Sequence, residues 1–269
     1  MRESTAFRTT DECLSSANSY YFDFSPNYNT IEMHLPDQDI ELLPGIKWGH
    51  YCQLYTPAFW KFMYLIYGSQ IDSRHHKIGS DIIEEVVACL LGGYGMPSEL
   101  GIAAFKRLQE DSLIKPGVSY CKIEKALFAP FEMEDGTMKR YRFYNQKSKY
   151  IYRFLHRNDL SYIPSDDDIS FRNWLLTVDG IGFKTASWIT RNWLQSENVA
   201  ILDIHILRAG KIAGFFGETG DVAKKYLNLE NNYIDFCKAL EVLPSNMDAI
   251  IWNYMKKTNK LALQVLSHS

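Results

Sequence analysis

The chain has little of what holds together an extracellular scaffold or anchors a protein in a bilayer. Its 269 residues include only five cysteines, Cys13, Cys52, Cys89, Cys121 and Cys237. None has the close spacing of a metal site, and an odd, scattered set fits a reducing compartment better than a disulfide framework. Long apolar runs are missing as well. The most hydrophobic stretch, Ala58 to Tyr67, falls well short of the roughly 20 residues that a membrane span requires. The opening Met-Arg-Glu-Ser-Thr contains no apolar signal region. An intracellular, soluble protein is therefore expected, in the cytoplasm or nucleoid if the source is prokaryotic. Positive charge is also in short supply: the net charge of −3 and pI near 6.2 argue against binding nucleic acid through global charge. Any such contact must come from a local basic face or from backbone amides. Internal repeats and low-complexity segments are absent.

What is present is an ordinary globular composition, with 46% hydrophobic and 23% charged residues, long enough for one large domain or two small ones. The first seventy residues are rich in aromatics and in short alternating runs, Tyr20 to Phe24 and Ile31 to Leu35, which read as antiparallel strands with Asn27-Tyr28-Asn29 as a turn. Pro44 to Gly49 reads as a glycine-punctuated loop. Thr56-Pro57 starts a helix through Tyr67, with Thr56 as N-cap and proline at the first helical position. A second helix begins at Ser80-Asp81 and buries Ile82, Ile83, Val86, Val87 and Leu90 before running into Gly92-Gly93-Tyr94-Gly95-Met96-Pro97. Glu99 to Leu113 is amphipathic, and Phe131 to Arg140 reads as a hairpin with Asp135-Gly136 as its turn. Lys139, Arg140, Arg142, Lys147, Lys149, Arg153 and Arg157 form a cluster free of acids, either a nucleic-acid face or an ordinary solvated helix surface. Ser165 to Asp168 is an acidic linker rich in capping residues. Beyond Arg208, helices are expected near Val222 to Tyr226, Tyr233 to Leu243 and Met247 to Lys257.

The most specific chemistry lies between Phe171 and Arg208. Phe171, Trp174, Leu175 and Val178 form one apolar helix face, which Asp179-Gly180-Ile181-Gly182 interrupts. Two glycines permit positive φ and close backbone approach, and the free amides of the next helix, Phe183 to Leu194, follow at once, an arrangement suited to a phosphate. Lys184 stands in the first turn of that helix, where the positive end of the dipole disfavours a cation. An exposed lysine tolerates that position at little cost, so the placement alone decides nothing. Val199 to Leu202 is an apolar run that delivers Asp203 to the start of another helix. Taken alone, Asp203 is an ordinary N-cap.

Together, Leu-x-x-x-Gly-Ile-Gly-x-Lys-Thr-Ala and the following Leu-Asp-x-His resemble the helix-hairpin-helix and aspartate loop of the endonuclease III superfamily of DNA base-excision glycosylases. The lysine and aspartate, 19 residues apart with Thr185 and His205 beside them, are more specific than the glycines. Phe143-Tyr144-Asn145-Gln146-Lys147-Ser148 is similar to the family segment in which Tyr-Asn-x-Lys-Ala opens a helix. A small strand element before the helical core is most like the 8-oxoguanine DNA glycosylases. The resemblance implies a mainly α, two-lobed fold with an N-terminal antiparallel β element. Residues 1–76 are expected to pack with the C-terminal lobe, 77–196 to form a helical bundle ending in the helix-hairpin-helix, and 197–269 to hold the Asp loop and C-terminal helices. The DNA cleft is expected between the lobes.

For function the resemblance implies a bifunctional glycosylase and AP lyase that removes 8-oxoguanine from duplex DNA as a monomer. Lys184 is the expected Schiff-base nucleophile and Asp203 the carboxylate that stabilises the developing sugar cation. Gly180, Ile181, Gly182 and Thr185 are the expected phosphate contacts. Many relatives carry a four-cysteine iron-sulfur cluster near the C-terminus. Here only Cys237 lies in that region, so no cluster and no other cofactor is expected. Gly45, by a backbone carbonyl, and Trp48, Phe59, Trp60, Asp248 and Trp252 are candidates for the base pocket, with Tyr94 as the plug for the vacated stack. Core packing competes for each aromatic, and a helix-terminal carboxylate for Asp248. Two rival functions stay open: excision of another lesion such as an oxidised pyrimidine, and a non-catalytic helix-hairpin-helix DNA-binding protein.

Overall fold

The computed structural model describes residues 17–23, 30–71, 77–93, 95–217 and 220–268. The chain divides into two compact units, Met1–Ser73 with Ala200–Ser269, and Arg74–Val199. Helices dominate both, and no helix among the described residues is long and apolar enough to cross a membrane.

In the first unit, β1 (Ala17–Asp23) pairs antiparallel with β2 (Thr30–Pro36), with Tyr20 opposite Met33. Met33 and Leu35 are buried while His34 between them is exposed, the alternation of a strand with one face on a core. The expected Asn27-Tyr28-Asn29 turn lies outside the described residues. A second hairpin, β3 (Glu41–Leu43) with β4 (Ile46–Lys47), turns through Pro44-Gly45. Gly45 has φ +76°, the order and conformation that a type II turn requires. Helix α1 (Pro57–Tyr67) starts as expected: Thr56 Oγ1 accepts from the Phe59 amide at 3.2 Å and proline occupies the first turn. Its buried face joins Phe59 and Trp60 to Tyr55 and Tyr254 through edge-on ring contacts.

The second unit is a helical bundle. It begins with α2 (Ile82–Leu91), capped by Asp81, whose carboxylate accepts from the Glu84 amide at 2.8 Å. Then come α3 (Ser98–Glu110) and α4 (Tyr120–Phe128), which the apolar periodicity had not singled out. The hairpin of β5 (Phe131–Glu132) and β6 (Met138–Lys139) follows. Its turn differs from the expected Asp-Gly pair. The Met133 amide donates to Thr137 O at 2.9 Å, closing a three-residue loop, Glu134-Asp135-Gly136. Gly136 takes the left-handed position at φ +73°, which places a G1 bulge where a two-residue turn was expected. Helices α5 (Tyr144–Leu155), α6 (Asp168–Leu175) and α7 (Phe183–Leu194) complete the unit. They share one core with α2 to α4.

The chain then returns to the first unit with α8 (Ile204–Ala213), α9 (Val222–Ala239), α10 (Pro244–Lys257) and α11 (Asn259–His268). Two separate helices were expected near Val222 to Tyr226 and Tyr233 to Leu243, but α9 is continuous to Ala239. The polar Asn231-Asn232 lies on its exposed side, while Tyr226, Leu229, Tyr233 and Phe236 keep one helical face buried. Helix α11 was not anticipated.

Candidate active site

The hairpin between α6 and α7 is built by backbone geometry. The Val178 amide donates to Leu175 O and the Ile181 amide to Val178 O, each at 3.0 Å, so the chain turns back within three residues. Gly180 sits at φ +89°, and a Cβ there would stand 2.5 Å from Tyr150 Cδ2 and 3.2 Å from Leu90 Cδ2. Only glycine fits both demands. Ile181 is buried in the core and anchors the hairpin tip. Its amide is already used by Val178, which corrects the expectation that it contacts phosphate. Gly182 is the N-cap of α7, at φ −102°, with no side chain to satisfy the helix amides and open space where a Cβ would be. The amides of Gly182, Lys184 and Thr185 have no partner among the described residues. Donors left without a partner at a helix N-terminus suit an anion.

Lys184 is the second residue of α7, and its side chain is exposed. Thr185, third in the helix, is half-buried. Of the seven-residue basic cluster, two members are engaged in holding this hairpin. Arg153 Nη1 bonds Asp179 Oδ2 at 2.7 Å, tying α5 to the hairpin. Arg157 bonds Asp159 at 2.5 Å and Thr177 O at 3.1 Å. Trp174 Nε1 donates to the same carboxylate at 2.8 Å, and the Arg157 guanidinium beside it holds the Asp159 carboxyl down at about 2. Lys147 is half-buried and burial lowers its pKa, whereas Lys149 is exposed. The cluster is thus partly structural. At the other end of α7, Asp168 Oδ2 accepts from Ser196 Oγ at 2.5 Å and Asn198 Nδ2 at 2.9 Å, joining the exit of α7 to the start of α6.

In the other unit, Asp203 is the N-cap of α8, and its Oδ1 accepts from the His205 amide at 2.8 Å and the Ile206 amide at 3.0 Å. Oδ2 takes no bond among the described residues. Capping and a chemical role therefore do not exclude one another: one oxygen orients the carboxylate and the other is left to act. The approach to Asp203 is fixed from α9. Tyr226 OH donates to Ala200 O at 2.7 Å and accepts from the Leu202 amide at 3.2 Å, while the Glu230 carboxylate accepts from the Ala200 amide at 2.9 Å. Sequence reasoning missed Tyr150, Tyr226 and Glu230. Nothing in their local pattern marks them, because each acts on a segment distant in the chain.

The base-pocket candidates separate. His205 meets Trp252 edge-on at 6.1 Å, and Lys256 Nζ lies 4.5 Å above the Trp252 ring, which is 39% exposed. That corrects the core reading of Trp252 and groups it with the residue two beyond Asp203. Asp248 is buried in α10. Trp60 has 0% exposure and Phe59 is also buried, so neither has a face to offer a base. Their places are set by the aromatic core of α1. Trp48 is half-buried against Met33, Leu35, Tyr51 and Ala58. Gly45 is exposed and its conformation is explained by its turn. Tyr94 lies outside the described residues.

The α6–α7 hairpin with Lys184 and the Asp203 cap of α8 are the two features that the motif resemblance singled out. A family model described as 8-oxoguanine DNA glycosylase matches residues 70–242. The chain belongs to that family. An 8-oxoguanine DNA glycosylase/AP lyase of Saccharolobus islandicus is 30% identical over 152 residues, 52% of this chain and 72% of the relative. One from Metallosphaera sedula is 33% identical over 147 residues, 51% of this chain and 69% of the relative. The fold is similar to the crystal structure of the 8-oxoguanine DNA glycosylase of Thermotoga maritima, with a TM-score of 0.54 and 21% identity over 77% of this chain and 98% of that one.

Proposed function

We propose that the protein excises 8-oxoguanine from duplex DNA as a monomer and then cleaves the strand, through a Schiff base on Lys184. The observation that supports this most is an exposed lysine in the first turn of a helix where the amides of Gly182, Lys184 and Thr185 have no partner among the described residues. Those amides take a backbone phosphate, which brings the amine toward the adjoining sugar. Neutral Lys184 Nζ attacks C1′, and the C1′–N bond breaks as its electron pair leaves with the base, which takes up a proton. Asp203, through Oδ2, offsets the positive charge that develops on the sugar. Ring opening gives an iminium between C1′ and Nζ. Loss of a C2′ proton then expels the 3′ phosphate, which is the lyase step.

The choice of 8-oxoguanine rests on the names of the relatives. Incubation of the wild type with an 8-oxoguanine duplex and borohydride is expected to give a covalent adduct, and Lys184→Gln none. Wild-type trapping yield from Lys184→Gln would assign the nucleophile elsewhere. Trapping on an oxidised-pyrimidine duplex alone would keep the chemistry and overturn the base. Duplex binding with neither trapping nor cleavage would leave a non-catalytic hairpin protein.

A further inference from the structure

Away from the hairpin, the second unit carries an aromatic seam that the excision chemistry does not use. Helices α4 and α5 lie side by side, and their rings meet in pairs. Tyr120 contacts Tyr152 at 6.0 Å and Phe128 contacts Tyr144 at 5.0 Å. The seam is extended at one end by His156, 4.1 Å from Tyr152, and at the other by the Arg140 guanidinium, 5.8 Å from the Phe128 ring. Phe128 is 51% exposed and His156 is exposed, while Tyr120, Tyr144 and Tyr152 are half-buried, Tyr144 and Tyr152 with one side against the bundle core. Eight residues separate the ring positions along each helix, about 12 Å at the helical rise, a distance that an extended strand crosses in a few nucleotides.

The charge of these two helices opposes that of the chain. They hold Lys122, Lys125, Lys147, Lys149 and Arg153 against a single carboxylate, Glu124, in a protein of net charge −3; Arg153 is paired with Asp179 and Lys147 is half-buried, which leaves Lys122, Lys125 and Lys149 for a ligand. Lys122, Lys125 and Lys149 are exposed, and Glu124 is held by Tyr120 OH at 2.8 Å. Tyr150, which packs under Gly180, is two residues from Tyr152 on α5. Two residues turn a helix by about 200°, so the seam faces away from the hairpin. A duplex on the hairpin amides therefore does not cover it.

We propose that this seam is a second nucleic-acid site that takes an unpaired strand, with bases stacking on the exposed rings and phosphates meeting the lysines. Stacking on aromatic side chains within a basic surface binds single strands with little sequence preference, because every base has a flat face. A duplex keeps its bases inside and cannot use such rings.

The test is fluorescence anisotropy of the full-length protein with a labelled 15-nucleotide thymidine strand and, separately, an undamaged duplex. The single strand is expected to bind and to weaken steeply with salt. Phe128→Ala and Tyr152→Ala should each weaken it by about fivefold to a hundredfold. Tyr152→Phe should retain it, which separates ring stacking from misfolding. Gly182→Asp should weaken the duplex and spare the single strand, so the two sites fail separately. The proposal is overturned if the thymidine strand does not bind, if both alanine variants bind it as the wild type does, or if binding is lost with Gly182→Asp alone. Competition by a polyglutamate peptide at equal charge as strong as by unlabelled strand would also overturn it, since the face would then read charge and not bases.

Discussion

Two helix starts in this molecule solve the same problem in opposite ways. At α8, Asp203 spends one carboxylate oxygen on the His205 and Ile206 amides, and the helix is capped by its own chain. At α7 the capping position is Gly182, which has no side chain to offer, and the Lys184 and Thr185 amides take no partner among the described residues. An uncapped start gives up a few tenths of a kcal/mol to a kcal/mol of local stability. What it keeps is a set of donors for an anion from outside. The capped start keeps the reverse: a carboxylate whose orientation is set, with one oxygen still available. One unit thus presents a site made of backbone, and the other a site made of a single side chain.

Changing the carboxylate should have the largest effect. Asp203→Asn is expected to reduce excision by about a hundredfold or more in single-turnover assays, because an amide cannot offset the sugar's charge. Asparagine caps about as well as aspartate, so the melting temperature and duplex affinity should hardly move. A large loss of melting temperature would mean that Asp203 is needed mainly as a cap.

Gly182→Asp would give α7 the cap that α8 has. It places a negative charge where a phosphate is expected, and should weaken duplex binding about thirtyfold, roughly 2 kcal/mol, while stability stays level or rises by a few tenths of a kcal/mol. Unchanged duplex affinity would remove the α7 amides from the DNA contact.

Gly180→Ala tests the turn itself. The new methyl meets Tyr150 at 2.5 Å in a backbone conformation of φ +89°, and about 1 to 2 kcal/mol of unfolding free energy should be lost in denaturant titration. Gly182→Ala, with nothing within 4 Å of its Cβ, should stay within about 0.5 kcal/mol of wild type.

The smallest effect belongs to the support beneath the hairpin. The carboxyl of Asp159 titrates at about 2 in the fold, below its ordinary 3.8. Its contribution is therefore present above about pH 4 and is lost as the pH falls from there toward 2. The side chain is 43% exposed, and solvent screening keeps the effect under about 1 kcal/mol. Asp159→Asn should flatten that acid limb in melts run from pH 5 to pH 2.

The sequence was most legible where one residue type answers a backbone demand. Thr56-Pro57, Asp81 and Asp203 mark helix starts because a short polar side chain satisfies nearby amides, and Gly180 and Gly182 mark the break between α6 and α7. Lys184 stood out because it opposes the helix dipole, with Asp203 at a telling distance. The base pocket was far less legible. Trp60 and Trp252 are the same residue type on helical faces, yet one is at 0% exposure and the other at 39%. That difference is set by tertiary neighbours: Tyr254 closes over Trp60 from 194 residues away, whereas Trp252 meets His205 only edge-on. Gly45, Trp48, Trp60, Asp248 and Trp252 also lie outside the 70–242 stretch that the family model matches. Helix α9 was cut in two because polar residues interrupt its periodicity only on the outer side.

The order of synthesis gives the split unit a burden that the contiguous one escapes. Arg74–Val199 has all its core partners within one run of chain and can close as soon as that run has emerged. The unit containing α1 must wait. Phe59 and Trp60 are made early, but Tyr254, which covers both rings, comes from α10 near the end of the chain. Until then those aromatics have only Tyr55 and each other for native ring contact, and premature termination before α10 would leave them without the ring that completes the cluster.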